Sequence, residues 1–353
     1  MTAAVLLVPP CTAVFLGLAG GRLARRLPPA TAVPLLTVAT VVTALATGFV
    51  LAVGGLEVLA RVPLVAELGR WSPVALARDD RLPIAISVLA GSTAAILLTR
   101  ALREVVRSAS DLACAALLCR RLGPGAQGLV IVEDQRPDAF ALPGVPGRIV
   151  VSTAMVRALS ADERRVLLAH EQAHLTHRHH LFVHVSAVAA AANPLLRPVA
   201  RAVRAGVERW ADEVAAATVD DRRLAAQALA RAGLARAAAV SADANPARAQ
   251  APAAALAVGG APGEVADRAR ALLEPPPPAR RGLTAAVALL VLATCASTAL
   301  TAEDTEQRFE RAQAVYAVGS CRSDAGAVSG PGSSVPRRSS GCGAGGSPSG
   351  RRW

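Results

Sequence analysis

The chain has 353 residues, of which 53% are hydrophobic and 18% charged, with a formal net charge of +12 and a mean hydropathy of +0.40. Soluble domains carry about 25% charged residues, so this balance points to lipid and excludes an ordinary cytosolic enzyme and a disordered chain. The chain holds no lysine, so every cation is an arginine of an Ala/Arg-rich composition, and aromatics stand at 3%. Base-stacking platforms are therefore excluded, and direct nucleic-acid binding is not expected.

In chain order, residues 1–21, 27–55, 82–99 and 282–302 carry no charged side chain. Each is long enough, or nearly so, to cross a hydrocarbon core of ~30 Å as a helix. No cationic segment precedes the first run, so it does not read as a secretory signal. Arg22, Arg25 and Arg26 follow it, and Arg100, Arg103 and Arg107 follow the third run. The positive-inside rule places both groups in the cytoplasm and the N-terminus outside. The expected organisation is three transmembrane helices in 1–99, a cytoplasmic body in 100–281, a fourth span in 282–302 and a low-complexity, disordered tail in 303–353. The localisation read from this plan is the plasma (inner) membrane, with the bilayer as a partner. Residues 181–196 are apolar but short, and read as a buried helix or one lying against the bilayer.

Six cysteines are scattered with no C-x-x-C pair, which argues against thiolate zinc ribbons and thioredoxin-like chemistry. Cys321 and Cys342 lie in the tail, where an outer-side disulfide and two unpaired thiols are both open readings. The six histidines, by contrast, all fall between His170 and His184.

Ser160-Ala161-Asp162-Glu163 is a capping-box signature for a helix start. It leads into His170-Glu171-Gln172-Ala173-His174, an H-E-x-x-H pattern on that helix. Positions i and i+4 share a helical face, so His170 and His174 can direct their imidazoles at one metal ion, and Glu171 can reach a water on that metal. One Zn2+ fits this donor set; it lowers the pKa of bound water to about 7, and Glu171 would serve as the base. Glu208 and Asp212 repeat the i, i+4 spacing downstream. Glu208 is the candidate third ligand, and Asp212 the group that fixes a ligand histidine's tautomer. If 181–196 crossed the bilayer, Glu208 would lie on the wrong side to share that ion. Upstream, Gly147–Ser152 and Gly128–Val132 read as short strands that either offer an edge to an extended substrate or only pack under the helix. His180 falls where a metzincin places its third ligand, but His177 stands where that motif needs glycine. His177, His179, His180 and His184 read as helix-surface or membrane-proximal groups. Arg204 and Arg209 are near in sequence as candidates to stabilise an oxyanion.

Asp138–Gly144, the Arg148–Ser152 strand, Leu159–Glu163, H-E-Q-A-H, Asn193-Pro194-Leu195 and Glu208-x-x-x-Asp212 follow one another in an order that resembles the BlaR/MecR-type membrane metallopeptidases, which are kin to the HtpX and CAAX-prenyl endopeptidase group. The resemblance covers roughly residues 100–275. It implies a mainly α, multi-span protein with a cytoplasmic gluzincin-type α+β domain: a helical body with a small sheet. It further implies zinc on His170, His174 and Glu208, Glu171 as base and Asp212 in support. The β-lactam sensors of that group end in an outer penicillin-binding domain with a Ser-x-x-Lys nucleophile. Residues 303–353 leave no room for one and hold no lysine, so the sensor domain is expected to be lacking.

The function expected is that of a membrane-embedded zinc endopeptidase facing the cytoplasm. Its substrate is a protein or peptide: a cytosolic regulator such as a transcriptional repressor, or a membrane protein. The alternatives are an HtpX-like quality-control protease and a non-catalytic metal-binding membrane protein. The charge-free spans argue against the last as a transporter.

Overall fold

A computed structural model describes residues 3–78, 83–123, 125, 128–242, 256–257 and 262–327. The elements in order are α1 (Ala3–Arg26), α2 (Pro29–Leu59), α3 (Pro63–Gly69), α4 (Pro73–Arg78), α5 (Ile84–Arg121), β1 (Leu129–Val132), β2 (Ala139–Leu142), β3 (Arg148–Ser152), α6 (Thr153–Ala158), α7 (Ala161–Thr176), α8 (His179–Ala192), a 3-10 turn (Pro194–Leu196), α9 (Arg197–Val219), α10 (Arg222–Ala242), β4 (Leu256–Ala257), α11 (Pro262–Leu273) and α12 (Arg281–Ala327). The protein is mainly helical.

Four helices, α1, α2, α5 and α12, are long and apolar enough to cross a membrane. Pro9 and Pro10 do not break α1. A proline at position 9 removes the amide that would bond the Val5 carbonyl. The Ser297 hydroxyl of α12 donates to that carbonyl instead, at 2.6 Å. Such a substitute is what a low-dielectric surrounding demands. Thr12 and Thr294 add a second link between the same two helices.

Two elements run further than hydropathy suggests. The helix of the third span does not end at residue 99 but continues to Arg121, 38 residues in all, or about 57 Å. The last helix does not end at residue 302 but continues through Glu303, Asp304 and Glu306 to Ala327. The disordered tail expected from 303 is therefore helical over its first part. Charge marks the edge of an apolar run, not the end of a helix, because solvated polar residues are also good helix formers. Cys321 lies on this helix; Cys342 lies outside the described residues.

The sheet order is β1-β3-β2-β4. β1 pairs parallel to β3, and β2 pairs antiparallel to β3 with Phe140 opposite Val150. β3 is buried along its length, as the central strand should be. β4 adds two residues to the other edge of β2.

Two apolar cores meet along α9. Val199, Val203 and Val207 belong to a bundle core with Leu16, Val33, Leu36, Val183 and Val287. Ala215 and Ala216, two turns further on, belong to a second core with Ile149, Val151, Met155, Val166, Leu167 and Leu229. Close packing against α1 depends on Gly17: a Cβ there would stand 2.5 Å from the Leu195 carbonyl oxygen. At the α8 to α9 turn, the Asn193 side chain accepts from the Leu195 amide and donates to Thr47 of α2. α8 has 14 residues, about 21 Å, too short for a crossing. Its chain returns along α9, which keeps Glu208 on the same side as His170.

Candidate metal centre

α7 starts as its sequence dictates. The Ser160 hydroxyl accepts from the Glu163 amide at 3.3 Å, and the Glu163 carboxylate accepts from the Ser160 amide at 2.8 Å. Arg231 of α10 also donates to Glu163, at 2.9 Å, so this cap is tied to the next layer. From that start, His170 and His174 fall on the buried face of α7, at 4% and 1% exposure.

Opposite them, α9 carries Glu208 and Asp212. The two Nε2 atoms stand 3.1 Å apart, and each is 3.8 Å from a Glu208 oxygen. One donor atom from each of His170, His174 and Glu208 lies within 4.8 Å of the others, a spacing that can hold a metal ion. His170 Nδ1 lies 3.0 Å from Asp212. A proton at that nitrogen leaves the Nε2 lone pair for a cation.

Glu171 is fully buried, and neither of its carboxylate oxygens has a well-formed hydrogen bond, the nearest donor being the Ala141 amide; Glu208 Oε2 has the ion pair with Arg268 but no well-formed hydrogen bond. Uncompensated buried oxygens are costly, so this cluster fits a cation and an incoming polar group. Burial pushes the Glu171 carboxyl up to about 7, against the favourable fields of His170, Arg236 and the nearby Ala141 amide of β2. Burial also raises Glu208, with the Arg268 guanidinium opposing it. At Asp212 burial is overcome by Arg268 and His170, which hold the carboxylate at about 2. His170 is raised, because Asp212 outweighs its burial. His174 lies well below the usual histidine range through burial and its histidine neighbours.

Three side chains of this centre, Arg268, Arg236 and His179, escape sequence reasoning. Arg268 of α11 forms a fork on Asp212 at 2.7 and 2.8 Å and approaches Glu208 at 3.1 Å. Arg222 fixes that end of α11 by donating to the Leu272 carbonyl at 2.9 Å. Arg236 of α10 donates to Asp138 and, at 2.8 Å, to the Ala139 carbonyl of β2. His179 is fully buried rather than on a surface, with its Nδ1 3.1 Å from His174 Nδ1. Nothing in an arginine-rich chain singles out Arg268 or Arg236.

The other expectations fall elsewhere. His180 does not join the metal-binding group. Arg209 donates to the Ala24 carbonyl of α1, and Arg204 lies near His184, whose Nδ1 meets Ser108 on α5. Neither arginine is among the groups around Glu171.

A mainly helical scaffold with a buried His-His-Glu cluster able to hold a metal ion, and a buried glutamate beside it, is the class this geometry defines. Residues 102–288, more than half of the chain, match the model of peptidase family M48. The chain belongs to peptidase family M48 and is thus a peptidase, a hydrolase, whose four long apolar helices associate it with a membrane. No curated protein and no solved structure matches it.

Proposed function

We propose that the chain is a membrane-embedded, zinc-dependent endopeptidase of the gluzincin type, with one zinc held by His170, His174 and Glu208. The observation that carries this reading is the convergence of those three donors beside the buried Glu171. Zinc bound there would supply Lewis-acid activation of water and of the scissile carbonyl.

The chain's own groups do the rest. Glu171 takes the proton of the attacking water at a carboxylate oxygen and delivers it to the leaving amine nitrogen. Its pKa near 7 suits a group that must both accept and donate. Asp212 holds the His170 ring, and Arg268 keeps Asp212 ionised.

The arginines flanking the first and third spans support an active site that faces the cytoplasm at the inner membrane. The substrate would then be a cytosolic regulator of the repressor type. A second reading, quality control of membrane proteins in the manner of HtpX, is favoured by α9, which lines both the bundle core and the metal centre. A metal-binding role without catalysis leaves the buried Glu171 unexplained.

The test uses the full chain in detergent. Glu171→Gln should lower peptide hydrolysis by about 10²- to 10⁴-fold while zinc stays bound. Hydrolysis at the wild-type rate in that variant refutes the mechanism. Comparing cellular proteomes with wild type and Glu171→Gln then separates the two substrate readings: one lost fragment pair indicates a regulator, and many lost membrane-protein fragments indicate quality control.

A further inference from the structure

We propose that His179 is a positioning residue for the metal: it fixes the ring of His174, as Asp212 fixes that of His170. This inference rests on the zinc reading above. His174 presents Nε2 to the cluster, so its proton must sit on Nδ1. That proton is buried and needs an acceptor. The group facing it is His179 Nδ1 at 3.1 Å, with the two rings nearly perpendicular at 86°. His179 can accept there only as the tautomer protonated at Nε2, a buried nitrogen with no hydrogen-bond partner of its own, so its ring is held by packing and by the His174 contact.

The local fold is built to bring this ring into place. Five residues along an unbroken helix amount to about 500°, which would put residue 179 some 140° around from His174. The helix instead breaks at Arg178, whose φ of 51° is left-handed, and α8 begins at His179 folded back toward α7. The ring is then packed against two others that also stack on each other: His177 lies 5.6 Å away and Trp210 of α9 4.7 Å away. Trp210 sits two residues from both Glu208 and Asp212, so one helix supplies the third ligand, the partner of His170 and the wall behind His179.

The two ligand histidines are therefore held by unlike groups. A carboxylate orients His170 and strengthens it as a donor; a second imidazole orients His174. The angle of the His174 ring, and hence the fit of the cation, depends on a side chain that touches neither metal nor substrate.

The experiment titrates the full-length, metal-stripped protein in detergent with Zn2+ against a chromophoric chelator, and records the visible spectrum of the Co2+ form. His179→Leu should weaken zinc binding by about 10- to 100-fold and shift the Co2+ bands, while metal-free far-UV circular dichroism is unchanged. His179→Gln, whose amide oxygen can accept the same proton, should restore affinity to within a few-fold of wild type. Should the leucine variant misfold, His179→Met takes its place. Wild-type affinity in the apolar variant overturns the proposal. So does a glutamine variant as weak as the apolar one, because the loss would then come from packing. His174→Ala serves as the control: unchanged zinc binding there refutes the zinc reading itself, and with it this role for His179.

Discussion

Buried charge is used in two opposite ways at the two ends of this molecule. Near the distal end of α2, Glu57 accepts from Arg308 of α12 at 3.0 Å and from Ser87 of α5 at 3.4 Å, so each carboxylate oxygen has a partner. Trp71 packs edge-on against Phe309 beside it and donates to the Ala60 carbonyl, and the Ser72 amide bonds the Ala312 carbonyl. Both oxygens of Glu57 are thus used within the protein, and the clasp joins α2, α5 and α12. At the metal centre, Arg268 likewise grips Asp212 with a fork and pairs with Glu208, but the buried Glu171 has no ion-pair partner of its own. The first arrangement holds helices together. The second is complete only when something else arrives.

The largest effect that separates the two concerns the arginines. Arg268→Met should destabilise the metal-free protein by roughly 3–5 kcal/mol, because it strands buried carboxylates. Zinc should recover much of that loss, since a cation at the same carboxylates replaces the missing charge. Arg308→Met should also lower Tm, but zinc should raise it only as much as it raises wild type, so the gap to wild type stays unchanged. Thermal unfolding of wild type and both variants with and without zinc decides the matter; an equal zinc gain in all three would erase the distinction.

A smaller effect lies at the cap of α7. Glu163 is held below the usual carboxylate range: burial opposes this, but Ser160 and Arg231 prevail. A depressed acid contributes stability above its unfolded pKa and loses it as pH falls through the folded value. Glu163→Gln should therefore lie below wild type in Tm at pH 7, with the gap closing on acidification below about 4.3. A gap that widens toward low pH would contradict the assignment. Smallest of all, Ser160→Ala should cost about 1 kcal/mol in chemical denaturation and leave the zinc affinity unchanged.

The residues that could be read directly are those whose partners lie one helical turn away. His170 with His174, and Glu208 with Asp212, each advertise a shared face through i, i+4 spacing, and the Ser160 to Glu163 cap announces where the register starts. The structure brings these four side chains to one point. What could not be read required a turn or a fold. His179 reaches His174 only because Arg178 adopts a left-handed backbone, and a surface histidine has the same letter. Arg268 reaches Asp212 across 56 positions, from a segment whose composition resembles the rest of the chain. The extents of α5 and α12 are not legible in hydropathy, because apolar runs report lipid contact rather than helix length.

The α9 helix ends as a valine-lined rod in one compartment and an alanine-lined rod in the other, with Glu208 between them. Leu195, just ahead of it, bears on Gly17 with no room to spare. The first helix thus bears directly on the turn that leads into the helix carrying Glu208, so a larger side chain at position 17 must displace the start of α9.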